Sequence, residues 1–400
     1  MRIKIEPGTA LGRVKAPSSK SLVHRALICA ALSGKRACVK NAGAGEDVRA
    51  TLGCLRALGF DFAERDGSVY FTGKRTEPEK NPILDCGESG STLRFIIPTA
   101  LALCGEARIR GSERLFQRGI GLYEELFEKK GITVIKTADE LKISGRLKSG
   151  EYTLRGDVSS QYISGLLMAL PLLEGDSTVN VTGPIESRGY IDMTLEVMRR
   201  FGVKISEKHT GCFLVPGSQC YGGREYEPEG DWSGAAFLYA LNVSGGSVSI
   251  DGLNDESTQP DRICLELFEK IKRGESVDIA QCPDLGPVLM SVCAVCGGGR
   301  LTGTRRLRLK ESDRAKAMAQ ELLKFGVRSN IEENAVTVLP GKLSKPKEAL
   351  CSHNDHRVVM ALAVCAAVTG AEIEGCEAAA KSYPDFFDAL EELGIRSEEK

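Results

Sequence analysis

Six times along the chain an amphipathic, helix-like run ends on a glycine and passes directly into an alternating segment. The six are Leu-Arg-Ala-Leu-Gly59-Phe-Asp-Phe, Phe-Glu-Lys-Lys-Gly131-Ile-Thr-Val, Met-Arg-Arg-Phe-Gly202-Val-Lys-Ile, Phe-Glu-Lys-Ile-Lys-Arg-Gly274-Glu-Ser-Val, Leu-Leu-Lys-Phe-Gly326-Val-Arg-Ser and Leu-Glu-Glu-Leu-Gly394-Ile-Arg-Ser. Glycine is the usual residue just past a helix end, because the chain there turns through a left-handed conformation. The first four glycines recur at intervals of 72, 71 and 72 residues, and the last two follow at 52 and 68. Units of this length are too long for a helical solenoid and suit a small α/β motif used six times. Alternating stretches at 69–71, 141–143, 213–215 and 335–338 add a further strand, so the expected plan is strand–helix–strand–helix–strand–strand. A chain of 400 residues exceeds what one core usually supports, and two domains are expected.

Composition narrows the class of partner. Lys and Arg number 53 against 54 Asp and Glu, which leaves no bulk field for nucleic acid or an acidic membrane. The start, Met-Arg-Ile-Lys-Ile-Glu, lacks the apolar core of a signal peptide, and the most apolar stretches, such as 165–173, are too short to span a bilayer. Fourteen cysteines without an export signal point to free thiols in a cytosol. Most, including Cys29, Cys104, Cys264 and Cys365, lie in apolar runs, where cysteine acts as a small hydrophobe.

Several stretches carry possible chemistry. Leu84-Asp85-Cys86-Gly87-Glu88-Ser89-Gly90-Ser91-Thr92-Leu93-Arg94-Phe95 reads as a loop opening onto a helix N-terminus, where unpaired N–H groups and the helix dipole favour an anion. Gly87 and Gly90 would let the backbone approach a ligand closely, and Arg94 is unusual so near a helix start. The same stretch also reads as a plain Gly-Ser turn capped by Ser89 or Ser91. Lys20 and Ser21 follow Ala16-Pro17-Ser18-Ser19 and open the apolar run 22–32, with Arg25 one turn on. A lysine at a helix start calls for an anion nearby, although a solvated helix edge is the alternative. Ser159, Ser160 and Gln161 precede another apolar run and are either caps or donors for a dianionic phosphate. Glu311, in Leu309-Lys310-Glu311-Ser312-Asp313-Arg314, reads by itself as part of a charged helix start. Cys293 with Cys296, and His353 with His356, are lone pairs at metal-ligand spacing. A structural zinc needs four ligands, and the cysteines belong to the apolar run 288–295, so core packing is expected.

The ordered set of these stretches, with Asn354-Asp355-His356-Arg357 and Lys381-Ser382-Tyr383-Pro384-Asp385-Phe386-Phe387, resembles the enolpyruvyl transferase family from about Lys4 to the C-terminus. Within it the chain resembles the branch that acts on shikimate 3-phosphate. The resemblance implies a two-domain inside-out α/β barrel of six βαβαββ-type repeats, with sheets outside and helices buried. Residues 1–13 and 225–400 would form the phosphoenolpyruvate and catalytic side, and 14–224 the shikimate 3-phosphate side, with the active site in the cleft between them. The crossings would fall near Gly12-Arg13-Val14-Lys15 and Gly222-Gly223-Arg224-Glu225, both short and polar.

The resemblance also implies a reaction: the enolpyruvyl group of phosphoenolpyruvate passes to the 5-hydroxyl of shikimate 3-phosphate with release of phosphate, a step toward chorismate and the aromatic amino acids. By the same route Lys20, Ser21, Arg25, Ser159, Ser160, Gln161, Ser187, Asp284 and Lys310 would bind shikimate 3-phosphate. Lys20, Gly90, Arg118, Gln161, Arg314, Arg357 and Lys381 would bind phosphoenolpyruvate, with Arg314 and Arg357 on its carboxylate. Glu311 would work at the methylene carbon, Asp284 at the 5-hydroxyl and Lys20 at the leaving phosphate. Two carboxyl groups and an ammonium can carry these proton transfers, so neither metal nor cofactor is implied. Small molecules alone are the expected partners, with glyphosate as an inhibitor and a monomer as the working form. The sequence departs from the family pattern at Ser18, His24 and Gly119, and at Glu88 and Arg306, where the family often has Asn. A carboxylate at 88 beside phosphoenolpyruvate would need a partner, for which Arg94 is at hand. Glu88 and Arg306 are therefore left outside the expected site. The branch that uses UDP-N-acetylglucosamine carries a reactive cysteine in its counterpart of the Arg118 loop and Asn after its lysine. This chain has no cysteine over 112–122 and has Ser21. A non-catalytic repeat protein that binds phosphorylated ligands is the rival from another class.

Overall fold

The computed structural model describes residues 1–137 and 140–400, and the chain divides into two compact units, Lys20–Pro228 and Met1–Ser19 with Glu229–Lys400. Each unit has its own hydrophobic core. All six helix-ending glycines are left-handed, with φ between 70° and 88°. A Cβ is disfavoured in that conformation, which is why the repeat is marked by glycine.

In the Lys20–Pro228 unit the repeat is complete three times. Ile83–Asp85 runs parallel to Glu106–Arg110, which pairs antiparallel with Glu140–Ser144 and through it with Thr133–Lys136. The same order joins Gly150–Arg155, Ser177–Thr182, Cys212–Val215 and Ser206–His209. In the third sheet the leading strand, Glu225–Tyr226, comes from the far end of the unit and lies parallel to Arg36–Val39. Each sheet keeps one face wet: in Gly150–Arg155, Tyr152 and Leu154 are buried while Glu151, Thr153 and Arg155 are exposed. A parallel pair needs a crossover, and in two of the sheets it is a helix apolar on nearly every side, Gly90–Leu103 and Ser160–Ala169; Lys20–Leu32, of the same character, leads into Arg36–Val39 in the third. The amphipathic helices Glu46–Ala57, Gly121–Glu128 and Arg188–Arg200 pack with one face only.

The other unit repeats the plan with two changes. In its last sheet, Arg2–Ile5 from the N-terminus fills the place between Ala371–Glu374 and Ser397–Glu399. In another, Leu11–Lys15 pairs in parallel with Ser247–Asp251 and no hairpin follows. The chain after Gly274 goes straight into Val277–Asp278, the leading strand of the next sheet, Val277–Asp278, Gly299–Thr302, Ala335–Val338 and Ser329–Ile331. The missing hairpin accounts for the short interval to Gly326. The buried helices of this unit are Trp232–Ala240, Gly286–Val295 and His356–Thr369.

The crossings differ from the expected positions. Gly12 to Lys15 belong to a strand of the Met1–Ser19 and Glu229–Lys400 unit, and Glu225 to a strand of the Lys20–Pro228 unit, so the chain passes over at Ser19/Lys20 and Pro228/Glu229. Both segments look short and polar because each supplies an edge strand. They are bonded side by side: Ser19 N–H donates to Glu229 O at 2.9 Å and Asp231 N–H to Pro17 O at 2.7 Å. All fourteen cysteines are free thiols. Cys29, Cys264 and Cys365 are buried as expected, but Cys104 is half-buried at a helix end and Cys296 is exposed. Among the described residues no helix is long and apolar enough to cross a membrane.

Candidate active site

Many of the expected site residues lie at helix starts, while Arg118 and Lys381 close short helical segments. In the Lys20–Pro228 unit these starts are Lys20-Ser21, Gly90 and Ser160-Gln161, and none carries an acidic residue in its first turn. Their caps are hydroxyls instead: Ser89 accepts from Thr92 N–H at 3.2 Å and Ser159 from Gln161 N–H at 3.3 Å. The positive ends of the helices are thus left without a fixed carboxylate.

Beside them Arg25 is placed by neutral groups and Lys20 by a carboxylate. Arg25 is 2% exposed and donates to Thr194 Oγ1 (2.7 Å), Ser21 O (2.6 Å) and Tyr190 O (3.0 Å), with its guanidinium over the Phe95 ring. Burial pushes its pKa down to about 10, so it stays charged at neutral pH without a carboxylate among these bonds. A buried cation held this way is prepared for an anion. Lys20 Nζ lies 2.8 Å from Asp47 Oδ2. Ser187 is buried and left-handed (φ 58°), a conformation serine seldom adopts.

Gly90 stands between two arginines. A Cβ there would sit 2.6 Å from Arg118 Nη2 and 2.7 Å from Arg94 Nη1. Arg94 donates to Gln161 Oε1 at 2.8 Å and to the carbonyls of Gly90 and Gly119 at 3.3 and 3.2 Å. It therefore ties Gly90 to Gln161, where the sequence pointed to Glu88. Arg118 Nη1 reaches the carbonyl of Glu88 at 3.4 Å.

The other unit holds a dense ion cluster. Asp284 is paired with Lys310 Nζ (3.0 Å), Arg314 Nη1 (2.9 Å) and Arg357 Nη2 (3.2 Å). Burial pushes its carboxyl up, but Arg357, Lys310 and Arg314 outweigh that and hold it well below the usual carboxylate range. Arg314 is 1% exposed and also bonds Glu311 Oε2 at 2.5 Å and both oxygens of Asp355 at 2.9 and 3.2 Å. Burial lowers the pKa of Lys310, offset in part by Asp284. Lys381 Nζ is anchored at 2.6 and 2.8 Å to the backbone and side-chain oxygens of Asn354. Arg306 is buried and donates to Ala280 O at 2.7 Å.

Five expected residues, Asp284, Lys310, Glu311, Arg314 and Arg357, thus meet in one network, with Lys381 held at the residue before Asp355. Gly90, Gln161 and Arg118 meet around Arg94. Sequence reasoning missed Asp355, which is fully buried and caps the His356–Thr369 helix, and it missed Asp47, Thr194 and Asn354. Asp47 looks like any acidic residue in a first helical turn; Asp355 lay in a motif already singled out, next to a chosen arginine.

Helix starts freed of acidic side chains, with buried arginines and lysines beside them, suit small polyanions. The chain belongs to the EPSP synthase (3-phosphoshikimate 1-carboxyvinyltransferase) family, whose profile matches residues 5–390. It is 39% identical to a 3-phosphoshikimate 1-carboxyvinyltransferase of Clostridium botulinum (strain Eklund 17B / Type B), over 98% of this chain and 97% of the relative. A Clostridium acetobutylicum protein of the same name is 37% identical over the same shares. An EPSP synthase structure from Acinetobacter baumannii has the same fold, with a TM-score of 0.80 over 99% of each chain at 22% identity.

Proposed function

We propose that the chain transfers the enolpyruvyl group of phosphoenolpyruvate to the 5-hydroxyl of shikimate 3-phosphate, giving 5-enolpyruvylshikimate 3-phosphate and phosphate. The observation that carries the mechanism is Arg314, one guanidinium that bonds Asp284 at 2.9 Å and Glu311 at 2.5 Å. Arg357, Lys310 and Arg314 keep Asp284 well below the usual carboxylate range. A phosphoenolpyruvate carboxylate that claims Arg314 and Arg357 takes their charge away from Asp284, whose buried carboxyl then becomes more basic, and releases Glu311 from the guanidinium. Asp284 can accept the proton of the 5-hydroxyl as its oxygen attacks C2 of phosphoenolpyruvate, while Glu311 gives a proton to the methylene carbon. In the elimination a proton returns from the methyl group to Glu311, and phosphate departs with a proton from Lys20; the cycle closes when Asp284 gives up its proton to solvent and Lys20 takes one from it.

The binding assignments follow the same electrostatics. Arg25 and the Ser159, Ser160 and Ser187 hydroxyls suit the anionic groups of shikimate 3-phosphate, with Ser21, Gln161 and Lys310 on its ring oxygens. Arg118 and Lys381 suit the phosphate of phosphoenolpyruvate, next to Gly90. The reading takes glyphosate as a competitor of phosphoenolpyruvate, the cytosol as compartment and the monomer as working form. The deciding experiment is phosphate release from phosphoenolpyruvate with either shikimate 3-phosphate or UDP-N-acetylglucosamine as acceptor. Release with the first alone is expected; release with the second would move the chain to the sugar-nucleotide branch, and release with neither would leave a binding protein.

A further inference from the structure

Lys381 is held by an uncommon piece of backbone. The residue that anchors it, Asn354 (φ 54°), and His353 before it (φ 51°) are both left-handed. Asparagine tolerates that conformation, but two successive non-glycine residues in it persist only where the surroundings enforce them. The enforcement comes from Glu321 on the helix Arg314–Lys324, which is 2% exposed. Its Oε1 bonds His353 Nε2 at 2.9 Å, and its Oε2 accepts from the backbone N–H of Cys351 at 2.9 Å and pairs with Lys324 Nζ at 3.0 Å. One carboxylate thus grips the chain on both sides of Ser352. Burial alone would raise its pKa, but these three donors outweigh burial and keep it ionised. Within the loop, Cys351 Sγ accepts from His353 N–H at 3.3 Å and Ser352 Oγ from Asn354 N–H at 3.2 Å.

We propose that Glu321 and His353 form a latch that fixes the 351–354 backbone and, through Asn354, aims the Lys381 ammonium at the phosphate of phosphoenolpyruvate. Both are positioning residues: their bonds are to the loop and its supporting helix. The inference rests on the assignment of Lys381 to phosphoenolpyruvate, and its test separates the two. Glu321→Gln puts an amide NH2 where at least one of three donors needs an oxygen, and His353→Asn keeps a side chain that tolerates the left-handed backbone but falls short of Glu321.

The variants Glu321→Gln, His353→Asn, Lys381→Met and Glu321→Gln with Lys381→Met are compared for kcat, for KM of each substrate and for melting temperature. Losing a charge-assisted bond should raise KM for phosphoenolpyruvate about tenfold in each latch variant, with KM for shikimate 3-phosphate within about twofold. In the Lys381→Met background Glu321→Gln should add nothing, because it acts through that lysine. An equal rise with and without Lys381, or a rise in both KM values alike, would reduce the latch to ordinary fold stability. No rise in either latch variant, while Lys381→Met raises KM, would overturn the latch alone. An unchanged KM in Lys381→Met would overturn the assignment of the lysine and, with it, the latch's aim.

Discussion

Glu311 is proposed to work at the methylene carbon, although in the sequence a glutamate beside Lys310 and Arg314 looks like part of a helix start. Glu311→Gln keeps size and polarity and removes the exchangeable carboxyl proton. Turnover should fall by about a hundredfold or more, with shikimate 3-phosphate affinity little changed by calorimetry; near-normal turnover would move the proton transfer elsewhere. At Gly90 a methyl group would press on the guanidinia of Arg118 and Arg94 before meeting any ligand. Gly90→Ala should therefore cost some phosphoenolpyruvate affinity through displacement of Arg118. It should weaken glyphosate more, the longer ligand having less room, by about 1–3 kcal/mol of overlap. Inhibition assays that show equal weakening of both would place the effect wholly in the arginines. His24, where the family pattern has Asn, is buried with Nδ1 2.6 Å from Thr51 Oγ1, and burial pushes its pKa down to about 3. Its unfolded form takes up a proton below about pH 6.5 while the folded form does not, so stability falls as pH drops through that range. Between pH 7 and 5 this costs about 2 kcal/mol. Urea unfolding of His24→Asn should show a correspondingly shallower loss, and an identical pH slope would mean that His24 protonates in the folded state.

At the scale of elements, the helices that carry the site are the ones whose sequence says least about their surroundings. The amphipathic helices announce a wet face and end on a glycine, so their number and spacing could be read directly. Lys20–Leu32, Gly90–Leu103 and His356–Thr369 are apolar nearly all round, and periodicity cannot tell which way such a helix faces. The crossing segments are another case. They are pinned by the buried side chain of Gln259, whose Oε1 accepts from Ser19 Oγ (3.0 Å) and Trp232 N–H (3.1 Å). Its Nε2 donates to Glu229 Oε1 (2.9 Å) and Gly230 O (2.8 Å). No motif in the sequence marks this glutamine, because its partners lie far away in the chain. Gln259→Leu keeps the volume and orphans several of these groups, so unfolding stability should drop by about 2–4 kcal/mol. A change under about 0.5 kcal/mol in denaturant unfolding would show that water replaces the amide.

For the whole molecule, the assignments divide between the two units, which predicts a pattern in hydrogen exchange. Shikimate 3-phosphate should protect mainly the helix starts at 20–22, 160–162 and 187–190, with a smaller effect at Asp284 and Lys310. Added phosphoenolpyruvate, or glyphosate in its place, should extend protection to 90–94, 311–314 and 355–357. Uniform protection from the first ligand alone would count against that division. The charged residues proposed for the site were named through the family resemblance. The repeat, its six left-handed glycines and the α/β class were legible in one dimension. They depend on spacing, on backbone conformation and on residue chemistry, all of which are local. The truncated fourth unit, the N-terminal strand that completes the last sheet and the crossings at Ser19 and Pro228 were not legible, because strand pairing joins residues hundreds of positions apart. The same holds for the partners of the charges. That Arg314 holds Asp284, Glu311 and Asp355 at once, and that Arg94 turns to Gln161 rather than to Glu88, follows from packing that brings distant helix starts together; no rule of spacing along the chain encodes it.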